Sequence, residues 1–264
     1  MKKIDFKKSN WDELQDMTTE YFAELGYKND GFHNGFFFDS EAYSIAVDEK
    51  ICGFFSLGNS WEGGKMLCGF YVVPEKRRFS EDIFGKLIEE MNVQAALVPS
   101  NDGHFVSLAF EKMRALGTGF EMQAYQFTYG EPEREAEYGM EFLTEVQPEE
   151  YDAMNSLTEG QWDGCYSDPA FSFYAIRKDG KTLGYGAMGK LKYNDKYVDV
   201  GNYTLPEFRR QGVGRSLLIN ISKLVLQQGK IPIAGCWYGN KESIPTLKSS
   251  GFIPENRIFY VKFK

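Results

Sequence analysis

The 264-residue chain has only two histidines, His33 and His104, and four scattered cysteines. No two cysteines are spaced as Cys-x-x-Cys, which excludes the common zinc and redox motifs. Both histidines lie in the first half, so a serine–histidine–aspartate triad within the second half is excluded. We expect the histidines to be structural or exposed and the cysteines to be thiols of a cytoplasmic protein.

The chain also lacks an excess of positive charge and any long apolar run. It contains 30 Lys and Arg residues and 38 Asp and Glu residues, which gives a net charge of −8. Nucleic-acid-binding proteins favour basic faces, so we expect no nucleic-acid partner. An acidic field favours cationic partners such as amines. No apolar run approaches the length of a membrane span, and residues 1–6 lack a signal-peptide core, so we expect no membrane partner.

What the chain does contain is a strand, a basic glycine turn and a helix between residues 197 and 229. Apolar residues recur at helical spacing from Val213 onward. The first amides of a helix have no internal acceptor and carry the positive end of its dipole, so they bind anions. Gly212 and Gly214 allow a ligand to approach the backbone. Leu217 breaks the dinucleotide-binding pattern, and the Walker lysine is missing.

Two segments together resemble the GNAT N-acetyltransferase superfamily. The turn 206–214 has the spacing Pro-Glu-x-Arg-x-x-Gly-x-Gly of that family's acyl-CoA loop. The second segment starts at Asn240, with Ser243 three residues later and Gly251-Phe252 at its end. The resemblance covers residues 141–264. It implies an acetyltransferase that uses acetyl-CoA as its co-substrate.

The resemblance also implies roles for individual residues. The predicted acetyl-CoA-binding residues are Thr204, Leu205, Arg209, Arg210, Gln211, Gly212, Val213, Gly214, Arg215, Ser216, Asn240 and Ser243. The N–H of Leu205 is predicted to polarise the thioester carbonyl. The general base stays open among Asp199, Asn202 and Tyr203. The family often has a proton-donating Tyr where this chain has Leu247, so Tyr238, Tyr203 or water is left as the acid.

An acidic, aromatic stretch falls where the family's first helices line the acceptor site. Within residues 159–168, Trp162, Asp163 and Tyr166 suit a cation by charge and by cation–π contact. A solvated polar loop is the alternative interpretation. We predict a small-molecule or peptidyl amine as the acceptor.

An internal repeat indicates two related domains. Pro74-Glu75-Lys76-Arg77-Arg78 matches Pro206-Glu207-Phe208-Arg209-Arg210 at an offset of 132 residues, and Gly119-Phe120 matches Gly251-Phe252 at the same offset. The predicted fold is α/β, with two tandem GNAT-like domains, each a mixed, mostly antiparallel sheet flanked by helices. We predict a degenerate domain over 1–130, an acidic linker over 131–140 and an acyl-CoA-binding domain over 141–264.

The first repeat lacks the ligand signals, since Ser80 and Asp82 stand opposite Gly212 and Gly214, and Leu108 stands opposite Asn240. We therefore predict one CoA per chain. Two fused repeats indicate a monomer or a loose homodimer. The leading hypothesis is N-acetyl transfer from acetyl-CoA to an amine, and the alternative is an acyl-CoA-binding sensor without turnover.

Overall fold

A computed structural model describes residues 2–26, 28–192 and 194–264. The chain divides into two compact units. The first unit comprises the chain up to Ala124 together with Asn256–Lys264, and the second comprises Tyr125–Glu255. Two strands, β6 and β12, pass from one unit into the other along the sequence.

The first unit is a mixed sheet with four helices. Its strands are β1 (Ile4–Lys8), β2 (Glu41–Val47), β3 (Lys50–Asn59), β4 (Lys65–Val72), β5 (Val93–Pro99), and parts of β6 (Phe120–Tyr129) and β12 (Phe252–Lys262). Its helices are α1 (Gln15–Glu24), α2 (Gly31–Phe38), α3 (Ser80–Glu90) and α4 (Gly103–Leu116). The strand order is β1-β2-β3-β4-β5-β12-β6. The β4–β5 pair is parallel, whereas β1–β2, β2–β3, β3–β4 and β5–β12 are antiparallel.

The second unit repeats this plan. It contains β7 (Leu143–Glu145), β8 (Phe171–Lys178), β9 (Lys181–Leu191), β10 (Asn194–Thr204) and β11 (Ile231–Trp237). Its helices are α5 (Tyr151–Leu157), α6 (Val213–Gln227) and α7 (Ser243–Ser249). The strand order is β6-β11-β10-β9-β8-β7, and β10–β11 is its parallel pair. The predicted α/β class, with a mixed sheet flanked by helices in each repeat, is confirmed.

Two glycines at equivalent positions show that the repeats are built alike. A Cβ at Gly53 would lie 2.2 Å from the carbonyl oxygen of Tyr71, and a Cβ at Gly184 would lie 2.8 Å from that of Tyr203. Each glycine therefore lets one strand pack closely against the end of the next. Tyr71 and Tyr203 are separated by the same offset of 132 residues (203 − 71) that relates the sequence motifs.

The sequence of the aromatic segment 32–38 predicts a loop, but the segment is a helix, so this prediction is wrong. The side chain of Asp30 accepts a hydrogen bond from the His33 N–H at 2.9 Å and caps the helix N-terminus. Phe37 is fully buried, while Phe32 and Phe36 pack against a second apolar cluster. Because the segment is apolar on nearly every side, it lacks the one-sided periodicity that identifies a surface helix.

Each unit has its own apolar core. In the first, α3 and α4 pack against β2 to β5. In the second, α6 covers one face of the sheet, where it contacts Val198 and Val200 of β10. The other face carries a separate cluster that includes Trp162, Phe173 and Leu205. These two faces of β10 frame the candidate site.

The compact units divide the chain differently from the predicted repeat limits at 130 and 141, which stay a prediction. Residues 256–264 group with the first unit because β12 pairs with β5 from Ile258 to Lys262. The acidic segment 131–140 groups with the second unit. The N–H of Tyr138 donates to Ser216 Oγ at 3.0 Å, and its carbonyl accepts from Asn220 Nδ2 at 2.8 Å. The segment therefore lies along α6.

Candidate functional site

The candidate site begins where β10 separates from β11. The parallel pairing of these strands runs only from Tyr197 to Asp199, whereas β10 stays paired with β9 as far as Thr204. Residues 200–204 thus have one backbone edge that is not paired with β11. An extended ligand can add to such an edge by backbone hydrogen bonds, as an extra strand does.

Strand alternation identifies which amides face this opening. The N–H of Leu205 donates to the carbonyl of Leu183 in β9 at 3.1 Å. Because backbone groups alternate in direction along a strand, Tyr203 also bonds toward β9, and the amides of Asn202 and Thr204 point toward β11. The opening is therefore lined by the backbone of Asn202 and Thr204.

The prediction that the Leu205 N–H polarises a thioester carbonyl is wrong. That N–H is already engaged with Leu183, and the Leu205 side chain is buried among Trp162 and Phe173. The sequence could place the strand end but not the direction of each amide, which depends on the register with β9. The amides of Asn202 and Thr204 are the ones that point away from β9.

The turn after β10 forms an anion cradle. Gly212 has a φ of 78°, in the left-handed region that favours glycine. The first hydrogen bond of α6 runs from the Ser216 N–H to the Gly212 carbonyl at 2.9 Å. The four amides of residues 212–215 thus have no acceptor within the helix. They point outward at the positive end of the helix dipole.

Gly214 brings three elements together. A Cβ at this position would lie 2.9 Å from Asn202 Nδ2, 3.0 Å from Thr204 Oγ1 and 3.3 Å from Thr246 Cγ2. The end of β10, the start of α6 and the middle of α7 therefore meet at one glycine. Any side chain at 214 would push them apart, so this glycine is required by packing as well as by ligand access.

Basic side chains surround the cradle, with acidic partners close by. Arg215 Nη2 lies 3.5 Å from Glu137 Oε2, and Arg209 Nη1 lies 4.0 Å from Glu242 Oε2. A Cβ at Gly212 would lie 2.9 Å from the Cβ of Glu137. The acidic segment therefore places a carboxylate at the rim of the predicted phosphate site, which sequence reasoning missed.

The remaining predicted cofactor-binding residues have varied surroundings. Arg210 has a positive φ of 63°, and the Gln211 side chain donates to the Glu207 carbonyl at 3.1 Å. The side chain of Val213 is buried in the core beneath α6. Ser216 is fully buried, and its hydroxyl donates to the Gly212 carbonyl. The Val213 N–H therefore remains available to a ligand, whereas the Ser216 N–H and hydroxyl are both engaged with the Gly212 carbonyl.

Asn240 has a structural task in α7. Its Oδ1 accepts a hydrogen bond at 3.0 Å from the N–H of Ser243, the first residue of α7, and so satisfies one of the free amides of that helix. Leu247 is buried in the core beneath α6. One residue earlier, Thr246 faces Gly214 and donates its hydroxyl proton to the Glu242 carbonyl at 2.9 Å. The residue of α7 that faces the cleft is therefore a threonine.

Asp199 and Tyr203 share the face of β10 opposite α6. Val198 and Val200 pack on the α6 side, so the residues between and beyond them alternate to the other face. Tyr203 packs there beside Trp162, and its hydroxyl is buried without a hydrogen-bond partner in the described part of the chain. A buried unpartnered hydroxyl is costly in a folded protein, so it marks a candidate for function.

Trp237 is a further residue on this face that sequence reasoning missed. Its neighbours Ala234 and Cys236 pack on the α6 side, so alternation along β11 places Trp237 opposite. Half of its surface is exposed, at 50%. Trp237 lies beyond the last residue pair between β10 and β11. Its position at the end of a strand is the signal that could have identified it.

The predicted acceptor residues are only partly exposed. Trp162 is buried, and its Nε1 lies 3.8 Å from the Cβ position of Gly201 in β10. The hydroxyl of Tyr166 donates to Asn155 Oδ1 at 2.8 Å, whereas Asp163 is exposed. Of the three predicted residues, Trp162 reaches β10 on the face shared by Asp199 and Tyr203.

In the first repeat, the equivalent strand end is closed by its own chain. Val72 corresponds to Thr204 at the offset of 132 residues (204 − 72). Its carbonyl accepts a hydrogen bond from Arg77 Nε at 3.1 Å, and Arg77 Nη2 pairs with Glu24 Oε2 at 2.5 Å. The side chain of Arg77 thus bonds to the backbone carbonyl that an extended ligand, added as a strand, would otherwise use.

The described residues contain no cluster of three or more His, Cys, Asp or Glu that could hold a metal ion. All four cysteines lie within the described ranges, and each is a thiol. No helix in residues 2–26, 28–192 or 194–264 has the length and apolarity needed to cross a membrane.

Comparison with known families assigns both halves of the chain. A model described as "Acetyltransferase (GNAT) domain" matches residues 10–130, and one described as "Acetyltransferase (GNAT) family" matches residues 133–252. The chain therefore belongs to the GNAT acetyltransferases and carries two tandem GNAT domains. This family is one of acyltransferases. A search of curated proteins returns no match.

Solved structures support the tandem fold. An acetyltransferase of the GNAT family from Colwellia psychrerythraea is 20% identical, with a TM-score of 0.83 over 99% of this chain and 100% of that one. A tandem GNAT protein from the clavulanic acid biosynthesis pathway has a TM-score of 0.59 at 13% identity, over 98% of both chains. A GCN5-related N-acetyltransferase from Sphaerobacter thermophilus has a TM-score of 0.59 at 11% identity, over 97% of this chain and 94% of that one. At these identities the likeness concerns the fold.

Proposed function

We propose that the chain is an N-acetyltransferase that moves the acetyl group of acetyl-CoA to a primary amine. The observation that carries this proposal is the open edge of β10 at Asn202 and Thr204, directly followed by the cradle at Gly212. An extended arm with a pyrophosphate at one end matches an unpaired strand edge followed by free helix amides. The residues therefore fit acetyl-CoA as co-substrate.

The chain's own groups would then assist direct transfer. The thioester supplies an activated acyl group. The N–H of Asn202 or Thr204 donates to the carbonyl oxygen and stabilises the negative charge that develops there. The neutral amine forms a bond to the carbonyl carbon, the carbon–sulfur bond breaks, and the thiolate takes up a proton from water, Tyr238 or Tyr203. Asp199 or Tyr203, on the opposite face, is the candidate to receive the amine proton.

The acceptor is proposed to be a cationic amine that binds beside Trp162, Asp163 and Tyr166. Trp162 packs against β10, and Asp163 is an exposed acid next to it. To test this, the KM for the acceptor is measured in Trp162→Phe and Asp163→Asn. We expect an increase of about tenfold in each. An unchanged KM in both variants, with unchanged thermal stability, contradicts the assignment.

A mass-spectrometric screen of an amine library with acetyl-CoA tests the activity itself. Acetylated product above the uncatalysed background, lost in Gly214→Leu, supports the enzyme. The second candidate is an acyl-CoA-binding sensor, favoured by the buried Leu247 at the position of the family's acid. Tight CoA binding without turnover on any amine supports the sensor.

We infer a monomer or a loose homodimer, acting without nucleic acid or membrane in the cytoplasm. The support is the fusion of two GNAT domains in one chain, together with the net charge of −8. Light scattering over a concentration series measures the assembly. An obligate higher oligomer contradicts the inference.

A further inference from the structure

A cavity of about 590 Å³ lies in the first unit, far in sequence from the proposed acetyl-CoA site. One face of α2 forms a wall, and the ends of β2, β3 and β4 form the remainder. The residues that the argument uses are Phe32, Gly35, Phe36, Asp39, Glu41 and Lys65. The volume is sufficient for a small organic ligand.

Gly35 is a helix-interior glycine that the protein's own packing does not require. A Cβ at this position would meet only Asp39 Oδ2, at 3.9 Å, which is an ordinary contact. By contrast, a Cβ at Gly58, in the same cavity, would lie 2.5 Å from Ser40 Oγ. Glycine weakens a helix interior relative to alanine. Its presence at 35 keeps space open on the cavity side of α2.

Aromatic rings supply an apolar wall. The ring centroids of Phe32 and Phe36 lie 4.8 Å apart, and those of Phe36 and Trp61 lie 5.9 Å apart in an edge-to-face arrangement. Trp61 is 45% exposed. An exposed tryptophan next to a cavity offers a surface for an apolar or aromatic group.

The charges beside this wall are of both signs. Glu41 is already engaged, because Lys8 forms an ion pair with it and the Tyr43 hydroxyl donates to it at 2.9 Å. Asp39 and Lys65 form no ion pair within the described residues, although the charge of Lys65 helps to lower the pKa of Glu41, and both line the cavity. A ligand can therefore meet one carboxylate and one ammonium that no direct ion pair engages. That pair suits a molecule that carries both charges, rather than a simple cation or anion.

We propose that this cavity binds a zwitterionic small molecule with an apolar or aromatic group, of the class of apolar amino acids and their dipeptides. The ligand's ammonium lies toward Asp39, its carboxylate toward Lys65 and its apolar group on Phe32 and Phe36. The site is independent of acetyl transfer and gives the first repeat a binding role of its own.

Isothermal titration calorimetry on the full chain without acetyl-CoA tests the site. The probes are L-phenylalanine, L-leucine and their dipeptides, with 2-phenylethylamine and 3-phenylpropionate as analogues that each lack one charge. We expect saturable binding of at least one zwitterion and binding of both analogues that is about tenfold weaker or more. No saturable binding by any zwitterion overturns the proposal, as does an analogue that binds equally well.

Matched variants locate the site. Gly35→Leu fills the cavity and should abolish binding. Gly85→Leu is the control, because Gly85 is also helical and has nothing within 4 Å of its Cβ position. Asp39→Asn and Lys65→Met should each weaken binding about tenfold. Unchanged binding in Gly35→Leu places the ligand elsewhere and overturns the assignment. Because no acyl transfer is measured, the result is separate from that of the proposed function.

Discussion

Asn202 and Tyr203 are neighbours in β10, yet strand alternation places their side chains on opposite faces of the sheet. The amide of Asn202 faces the β10–β11 opening, and its side chain lies against Gly214 on the α6 side. The Tyr203 hydroxyl is buried on the other face without a partner in the described residues. The α6 face of β10 is thus suited to bind the acyl donor, and the opposite face to take part in proton transfer.

We predict that Tyr203→Phe lowers kcat by about a hundredfold and leaves the Kd of acetyl-CoA unchanged, since the change removes only the hydroxyl. The stability should stay the same or increase, because the lost hydroxyl has no hydrogen-bond partner. Steady-state kinetics, calorimetry and thermal melting measure the three quantities. Tyr174→Phe, in β8 on the α6 side, is the control and should retain kcat. A normal kcat in Tyr203→Phe rules out the proton-transfer role.

Two buried groups in the first repeat titrate in opposite directions. Burial lowers the pKa of His33 to about 4 and raises that of Asp102 to about 6. His33 is neutral when folded, so its contribution to stability is lost as the pH falls from about 6.5 to 4. Asp102 is protonated when folded, so its contribution is lost as the pH rises from about 4 to 6. The two effects largely cancel between pH 4 and 6.

We therefore predict that Asp102→Asn makes stability strongly dependent on pH. With the His33 titration no longer opposed by Asp102, the increase in the free energy of unfolding between pH 4 and 6.5 should exceed that of the wild type by roughly 3 kcal/mol. Urea unfolding at several pH values measures this slope in the variant and in the wild type. Equal slopes in the two proteins would show that the opposing titrations do not exist.

At the scale of elements, the strand–turn–helix around Gly212 could be predicted because its signals are local. The two glycines, the helical spacing after Val213 and the end at Gly229 all lie within one continuous segment. The direction of the Leu205 amide could not be predicted, because the pairing of β10 with the distant β9 sets it. Likewise α2 was missed, since its phenylalanines point to several sides of the helix and so remove the one-sided periodicity that reveals a helix.

The acidic segment before β7 was also predicted only as a linker, yet Glu137 lies beside the cradle. Its carboxylate is 3.5 Å from Arg215 and adjoins the Gly212 turn. A negative charge there opposes a pyrophosphate and competes for the same arginine. The segment therefore lies beside the proposed site, and we expect the Glu137 carboxylate to oppose binding of the co-substrate.

We predict that Glu137→Gln tightens acetyl-CoA binding by about fivefold to tenfold, which corresponds to roughly 1 kcal/mol for one charge near a phosphate in water. Calorimetry at low salt measures the Kd. Glu135→Gln, an exposed acid in the same segment, should have little effect. If Glu137→Gln binds more weakly than wild type, the carboxylate instead holds Arg215 in position for the ligand.

At the scale of the whole molecule, the chain carries two copies of one fold that have diverged at their strand ends. In the second copy the carbonyl and amide of Thr204 face an opening, and glycines follow in the turn. In the first copy the Val72 carbonyl is taken by Arg77, and the positions opposite the glycines are Ser80 and Asp82. The Ser80 hydroxyl also lies 2.9 Å from His104 Nε2. The first copy retains the fold, and at its strand end the Val72 carbonyl is engaged by its own chain.

The last prediction is that each chain binds one CoA, through the second repeat only. Both repeats share basic side chains after Pro-Glu, so charge alone would predict two sites. In the first repeat, however, Asp82 adds a carboxylate, which costs roughly 1 kcal/mol per phosphate at 4 Å in water and more when partly buried. In addition, Arg77 donates to the Val72 carbonyl, which is therefore not available to the extended arm of CoA. Together these effects amount to a loss of about 10³ or more in affinity.

Calorimetry should therefore give a stoichiometry of one. Gly212→Asp should abolish binding, because its φ of 78° strains any side chain, its Cβ would lie 2.9 Å from that of Glu137, and the new carboxylate repels the ligand. Ser80→Ala, the matched change in the first repeat, should leave both affinity and stoichiometry unchanged. Two equivalent sites in the wild type, or CoA retained by Gly212→Asp, would show that the first repeat still binds the co-substrate.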